Sequence, residues 1–302
     1  TAYSSSGFYF NWLIENKINY NTVINEDHSI NAVLVQSAQK ETYKGDNVTA
    51  TDFPNDYIQT ISGGTVIKGA SDKTQWSIAS YLARVQYSYK GKYMASGAIR
   101  ADGSSRFGKN NRWGYFPSAS LAWRVSGEDF FTKAKFLSFV DDLKIRTSYG
   151  VTGNFQIGNY DHLSLMALDN YILGTGNGQL VQGYKPNTIK NDDLSWEKNA
   201  MVNVGVDLQM FKGLLGITVD YYNTNTSNML LNVPVPHLTG YSTALMNIGK
   251  VNNRGWEIAL TSQKNFTKDF GYSFNANYAT NTNEVKALGP GNAPIISTGS
   301  VD

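Results

Sequence analysis

Residues 100–124 read RADGSSRFGKNNRWGYFPSASLAWR. Asp102-Gly103 ends a run of alternating residues with a turn signal, because glycine tolerates the positive φ that a tight turn needs. Arg106 and Arg112 bracket a polar tip, Gly108-Lys109-Asn110-Asn111, with Phe107 beside it. Trp113, Tyr115 and Phe116 follow, separated by Gly114, and Pro117 restricts the start of the returning run. A phosphate cradle would need a glycine-rich loop that opens onto a helix. Here alternation resumes almost at once, so the stretch reads as a hairpin. Arg100 and Arg124 fall on the polar faces of its two arms, placed to pair with acidic neighbours or to meet a substrate. Structural corner and binding loop both remain open on these residues alone.

Working outward, period-2 alternation recurs along most of the chain, and helical periodicity is nearly absent. In GKYMASGAIRA one face carries Tyr93, Ala95, Gly97, Ile99 and Ala101, against Lys92, Met94, Ser96, Ala98 and Arg100. In NAMVNVGVDLQM the apolar face is Ala200, Val202, Val204, Val206, Leu208 and Met210. The run GYFPSASLAWRV sets Tyr115, Pro117, Leu121 and Trp123 opposite Phe116, Ser118, Ser120 and Arg124. Alternation predicts ten strands, near 10–21, 29–41, 75–89, 92–103, 114–125, 142–152, 194–210, 213–225, 248–263 and 270–283.

Several exceed the roughly 5–6 residues usual in globular sheets, whereas about 9–11 residues suffice to cross a bilayer at a tilt. The connections alternate in length. Those at 25–27, 90–91, 212–213 and 265–269 are short, as is the brief helical turn expected in 126–141 from Ser126 or Glu128. Those at 42–74, 104–113, 153–193 and 226–247 are long. Short turns at one end and long loops at the other are how outer-membrane barrels are built, with the long loops outside. Trp12, Tyr20, Trp76, Tyr87, Tyr89, Trp113, Tyr115, Trp196, Tyr221, Tyr222 and Trp256 fall at strand ends, as an interfacial belt predicts.

Composition agrees with this. Of 302 residues only 17% are charged and 13% are aromatic, with 19 tyrosines and 28 glycines. A net charge of +2 argues against nucleic acid as a partner. With no cysteine there are no disulfides and no thiolate metal sites. His28, His162 and His237 lie far apart without metal-ligand spacing, and read as surface histidines. Asn25-Glu26-Asp27 lacks the ligand count for calcium. No enzyme, metal or cofactor is expected. TAYSSSGFYFNW at the N-terminus shows no secretory leader. A soluble sandwich or propeller is a weaker alternative, since one-sided strands can also pair into a second layer.

The run AIRADGSSRFGKNNRWGYFPSASLAWRVSGEDFF closely resembles the signature segment of SusC/RagA-like TonB-dependent transporters of Bacteroidota outer membranes. LKIRTSYGVTGNFQIGNY at 143–160, LSWEKNAMVNVGVDLQMF at 194–211, ITVDYYNTNTSNMLL at 217–231 and NIGKVNNRGWEIAL at 247–260 resemble later segments in order. SYLARVQYSYKGKYM at 80–94 resembles the strand pair before it. The resemblance implies an all-β, antiparallel transmembrane barrel of 22 strands around a plug, of which this chain supplies about ten. It further implies import of glycans or oligopeptides driven by TonB–ExbB–ExbD, under a SusD-like surface lipoprotein, in contact with outer-membrane lipid.

Residues 1–302 are expected to be part of that single barrel domain, without the plug, the TonB box or the barrel C-terminus, since the ending STGSVD is not an aromatic strand. A barrel without active import, structural or linked to secretion, is the alternative. A motif shared by transporters of different cargo is a poor place to encode cargo choice, so the signature hairpin is assigned a structural role. Tyr57, Tyr160, Tyr171 and Tyr184, in the long loops with the glycine-rich 173–179, are the candidates for contact with substrate or lipoprotein. The apolar loop 226–247, with Leu230, Leu231, Val233 and Leu238, is expected to be covered.

Overall fold

In the computed structural model, described over residues 1–58, 60–174 and 178–288, the chain is a wall of long antiparallel strands. These are β1 (Ala2–Ile24), β2 (His28–Thr51), β3 (Thr65–Tyr89), β4 (Tyr93–Ser104), β5 (Trp113–Arg124) and β6 (Val140–Asn154). After an excursion, β9 (Glu197–Met210), β10 (Leu215–Pro234), β11 (Thr243–Asn265), β12 (Gly271–Ala279) and β13 (Thr282–Ala287) complete it. They form one 11-stranded sheet in the order β1-β2-β3-β4-β5-β6-β9-β10-β11-β12, with β13 also on β11. The sheet is not closed. The excursion holds a separate two-stranded hairpin, β7 (Met166–Leu173) with β8 (Gln179–Pro186).

Strands stand where alternation predicts them, and the short turns have the matching backbone. Lys90 and Gly91 take φ of 52° and 63°, and Asn25 and Glu26 take 51° and 62°. Positive φ at both central residues gives the twist that two-residue hairpins require. The turn after β5 contains α1 (Asp129–Thr132) flanked by 3-10 turns. Three loop expectations need correction. Most of 42–74 is strand, since β2 runs to Thr51 and β3 starts at Thr65. Likewise β10 and β11 extend through 226–247 to Pro234 and from Thr243, and 153–193 contains β7 and β8. Beyond the bilayer a ladder continues without an apolar face, so its strands lose the pattern that betrays them. Of the expected glycine-rich tip, residues 175–177 lie outside the described residues, as does STGSVD.

The register sorts the side chains into two faces. Tyr93, Trp123, Ile145, Val206, Val219, Ile258 and Tyr278 are partners in one continuous row across seven strands. Ile18, Leu34, Ala83, Ile99 and Pro117 make another. Apart from the half-buried Val219, their large side chains are exposed. An apolar surface this continuous exceeds what water tolerates, and suits lipid. The opposite face is polar: Ser96, Ser120, Ser148 and Asn203 lie in register, and the Ser96 and Ser120 hydroxyls share a 2.7 Å hydrogen bond.

Rings border the apolar face. Near the short turns His28, Tyr89, Tyr93, Trp123 and Phe130 stack in series at 4.8, 6.4, 6.5 and 6.4 Å. At the other border Tyr81 lies against Trp113 at 6.1 Å. Tyr81 to Tyr89 spans about 27 Å of strand at ~3.4 Å per residue, or about 20 Å across the bilayer at a tilt near 40°. That matches a barrel's apolar band. Trp76, Trp196 and Tyr222 do not belong to the belt: Trp76 and Tyr222 stand on polar positions of their strands, and Trp196, just before β9, is packed into a buried cluster. The Trp76 indole donates to Glu41 at 3.0 Å, Trp196 is buried, and the Tyr222 ring crowds Gly255.

Below the lower belt Glu128 accepts hydrogen bonds from Tyr93, Trp123 (3.1 Å) and Lys92 (3.3 Å), which hold its carboxyl below the usual range. A depressed native pKa stabilises the fold above the unfolded carboxylate value, near 4.3, and that contribution fades as pH falls through the native value. Denaturant midpoints of wild type and Glu128→Gln are therefore expected to differ at pH 7 and to converge only as pH falls through the depressed native value.

Val85 and Gln86, midway between the belts, test the faces directly. Val85 is 51% exposed on the apolar face and Gln86 is exposed on the polar one. Val85→Arg should destabilise refolding into lipid vesicles by about 2–4 kcal/mol, and Gln86→Arg by less than about 1 kcal/mol.

Candidate functional site: the hairpin at the outer mouth

The β4–β5 hairpin folds inward over the mouth. Ser104 N–H donates to the Arg112 carbonyl at 3.0 Å, and Ser105 N–H reaches Ser77 of β3 at 2.9 Å. Between them the expected polar tip buries its one ring: Phe107 is fully enclosed. It meets Trp196 at 4.7 Å, Phe116 meets the same indole edge-on at 5.3 Å, and Phe155 joins at 5.9 Å. Ile78, Val151 and Ile157 pack around them. Phe116 thus turns away from the lipid face, opposite to Trp113 and Tyr115, as alternation requires.

Glycines make room for these rings. A Cβ on Gly114 would fall 2.5 Å from Phe116, and one on Gly153 2.2 Å from it and 3.0 Å from Trp196. On the lipid face Trp113 lies over Gly103, whose Cβ would meet the indole at 2.8 Å. Gly108 backs onto the chain itself, its would-be Cβ 2.1 Å from the Asp192 carbonyl oxygen.

Polar groups tie the tip to the segment before β9. Gly108 N–H donates to the Leu194 carbonyl at 3.2 Å, and the Trp196 indole donates to Arg112 at 3.0 Å. Asn110 and Asn111 side chains donate to the Asp193 carboxylate and carbonyl at 3.0 and 2.9 Å. Asn247 of β11 clasps Ser195 through both backbone groups at 2.7 and 2.8 Å. Lys190 hydrogen-bonds Asp192 at 2.7 Å and keeps its carboxyl below the ordinary range.

Arg106 is held by two hydrogen bonds and two rings. Nε donates to Asn159 at 2.9 Å, Nη1 to the Phe155 carbonyl at 3.3 Å, and the plane lies 4.9 Å from the Trp76 ring and 5.3 Å from Phe155. Burial lowers its pKa from the usual value. His162, expected at the surface, is buried, with Nδ1 donating to the Arg106 carbonyl at 3.1 Å. Arg100 pairs with Asp102 at 2.7 Å and reaches Ser80 at 3.1 Å, while Arg124 pairs with Asp142 at 2.7 Å. These arginines find protein partners, and Arg112 stays exposed.

The four loop tyrosines are not brought together. Tyr160 is half-buried, and its hydroxyl accepts the Gln75 N–H at 3.0 Å, fastening the loop to β3. Tyr57 stands 95% exposed between β2 and β3. Tyr171 and Tyr184 are exposed on opposite faces of the β7–β8 hairpin, paired with Val181 and Leu168. Leu230, Leu231 and Val233 are half-buried on β10, and Leu238 is fully exposed at the adjoining tip.

A polar network on the inner wall was not anticipated. Arg146 donates to Asp220 at 2.6 Å, to Asp207 at 3.2 Å and to Asn203 at 3.2 Å, and Lys144 pairs with Asp207 at 2.9 Å. Arg146, Gly205 and Asp220 share one row, so the guanidinium crosses Gly205 to reach the second strand over. Each residue sits on a polar strand face, but the pairing of β6 with β9 lies beyond local patterning. Among the described residues no group of histidines and carboxylates has the arrangement of a metal site.

Residues 1–298 match the family described as TonB dependent receptor-like, beta-barrel. TonB-dependent receptor P39 of Formosa agariphila is 37% identical over 283 residues, covering 93% of this chain and 26% of that protein. TonB-dependent receptor SusC of Bacteroides thetaiotaomicron is 33% identical over 71% of this chain and 21% of its own length. The chain thus spans about a quarter of the length of these curated relatives. The RagAB peptide transporter superposes with a TM-score of 0.84 at 27% identity, covering 94% of this chain and 31% of that one. A ferric enterobactin receptor from Pseudomonas aeruginosa, at 15% identity and a TM-score of 0.56, shares the fold.

If the docked tip organises the mouth, its removal should loosen several loops together. Phe107→Ala is expected to cost about 3–5 kcal/mol locally. Gly108→Ala, which drives a methyl into backbone, should likewise speed hydrogen exchange in both 105–112 and 187–196, leaving β1–β2 unchanged. Exchange confined to 105–112 would refute the docking role.

Proposed function

The chain belongs to the TonB-dependent receptor-like β-barrel family of the bacterial outer membrane, and we propose that it forms wall and mouth of a nutrient importer. In this reading residues 1–302 are about ten strands of a larger barrel. Oligosaccharide or oligopeptide docks at the mouth beneath a SusD-like lipoprotein, and TonB–ExbB–ExbD acts on a plug supplied by the rest of the protein. The likeness to the RagAB peptide transporter over 94% of the chain supports this most directly.

The side chains would divide the work. The signature hairpin, from Arg100 to Arg124, holds the mouth in shape by its buried contacts. Exposed loop residues, Tyr57, Tyr171 and Tyr184 among them, are free to meet substrate or lipoprotein, whereas Tyr160 serves the loop's own anchorage. The hydrated face with Arg146, Asp207 and Asp220 lines the path or meets the plug. No bond is made or broken; transport is binding followed by release of a barrier.

Uptake decides the matter. Cells carrying the full-length protein and its lipoprotein partner should accumulate a fluorescent oligosaccharide or oligopeptide pool only when TonB is functional. Equal entry without TonB would overturn the importer and favour a barrel with no active import.

A further inference from the structure

Above the membrane, the polar face of β1, β2 and β3 carries a patch that the hairpin does not use. Gly7, Gly45 and Asp72 share a row, Tyr9, Tyr43 and Thr74 the next, and Asn11, Glu41 and Trp76 the third. Two glycines in register leave a bare strip of backbone, and the Tyr43 ring lies on it. A Cβ on Gly45 would meet the Tyr43 hydroxyl at 2.4 Å, and one on Gly7 the ring at 3.1 Å. Tyr9, 67% exposed, sets its ring 4.6 Å from that of Tyr43 at 39°, making one bent aromatic surface.

Planar polar groups surround it. Gln39 donates to Asn11 at 3.2 Å, Asn11 donates to Glu41 at 3.2 Å, and Trp76 donates to the other Glu41 oxygen at 3.0 Å. The Asp72 carboxylate leans over Gly45, exposed, with no hydrogen bond from a described residue. No lysine or arginine stands in these three rows. Lys40, Lys44 and Lys73 project from the other side of the same strands, Lys68 shares the face of Asp72 four residues along β3, and Arg106, over the Trp76 ring, is bonded to Asn159 and Phe155.

We propose that Tyr9 and Tyr43, with Asn11, Glu41 and Asp72, form a subsite for a neutral sugar unit of an oligosaccharide. A flat aromatic surface takes the apolar C–H face of a pyranose ring, and carboxylate and carboxamide groups at its margin take the hydroxyls. The carboxylates of Glu41 and Asp72, in rows that hold no lysine or arginine, disfavour uronates, sulfated glycans and a peptide's terminal carboxylate. The inference rests on the importer reading for its purpose, but binding is measurable without transport.

The full-length protein in nanodiscs would be titrated against neutral malto-, cello-, laminari- and xylo-hexaoses, with a defined pool of lysine-containing octapeptides in parallel. At least one hexaose should bind. Tyr43→Ala should weaken it about tenfold or more, equivalent to about 1.4 kcal/mol, and Asp72→Asn several-fold, whereas Lys44→Ala and Lys73→Ala, on the other face of the strands, should leave affinity within about twofold. Heat-modified migration of each variant checks that it folds. Absence of binding by all four hexaoses, an affinity indifferent to Tyr43→Ala, or a peptide pool that binds with the same Tyr43 dependence would each overturn the proposal. TonB-dependent peptide uptake alongside any of these would leave the importer standing, and sugar binding without TonB-dependent uptake would sink the importer alone.

Discussion

A backbone amide in hydrocarbon has no water to fall back on, and this single constraint shapes the chain. Each strand crossing the bilayer must be paired on both edges along its whole buried length. Antiparallel neighbours joined by short turns meet that demand with the least connecting chain, which is why the strands of the wall follow one another in sequence, with the β7–β8 hairpin set aside and β13 continuing β12 along β11. Pairing in turn enforces alternation. A slip of one residue would exchange Tyr93, Ile99 and Trp123 for Met94, Arg100 and Arg124 on the lipid side. The apolar face therefore fixes register as firmly as the hydrogen bonds do.

A wall one sheet thick has no second layer to pack against, so its inner side chains must find support on the wall itself. Glycine supplies it. Phe116 and Trp196 lie over Gly114 and Gly153, Arg146 lies across Gly205, and Tyr43 rests on Gly7 and Gly45, as Trp113 covers Gly103 on the lipid face. Each pairing turns a strand's weakest residue into a seat for a large planar group. The result is a small core, Phe107, Phe116 and Trp196, at the outer mouth rather than at mid-wall. It fastens three separate loops, so the mouth is the best-organised part of the inner surface.

Much of this was legible in the residues, and the limits have physical causes. Long alternating runs and the short–long rhythm of connections set strands, turns and faces, because the period-2 pattern is local and lipid makes it strong. Where strands leave the bilayer, as in 42–51 and 226–234, water accepts either face and the pattern dissolves, so those stretches read as loops. Aromatic residues at strand ends all looked like belt residues, yet Trp76, Trp196 and Tyr222 face inward. Parity within the strand distinguishes Trp76 and Tyr222 once a register is known, whereas Trp196, just before β9, shares the parity of Val202 and Val204 and is revealed only by its contacts with Phe107 and Phe116. Phe107 and His162 were hidden for another reason: their burial depends on contacts between the hairpin and residues more than fifty positions away.

The signature stretch therefore marks the family for the same reason that it is unsuited to choosing a cargo. Arg106 gives its guanidinium to Asn159, Phe155 and Trp76, Asn110 and Asn111 give their amides to Asp193, and Phe107 gives its ring to Trp196. Groups engaged with one another are held in place for the mouth's own shape, and changing any of them would unseat its partners. Discrimination must come from side chains whose faces and lone pairs are still unspent. On this wall those lie outside the hairpin, on the exposed loop tips and along the bare strip where Tyr43 lies beside Asp72, which has no hydrogen bond from a described residue.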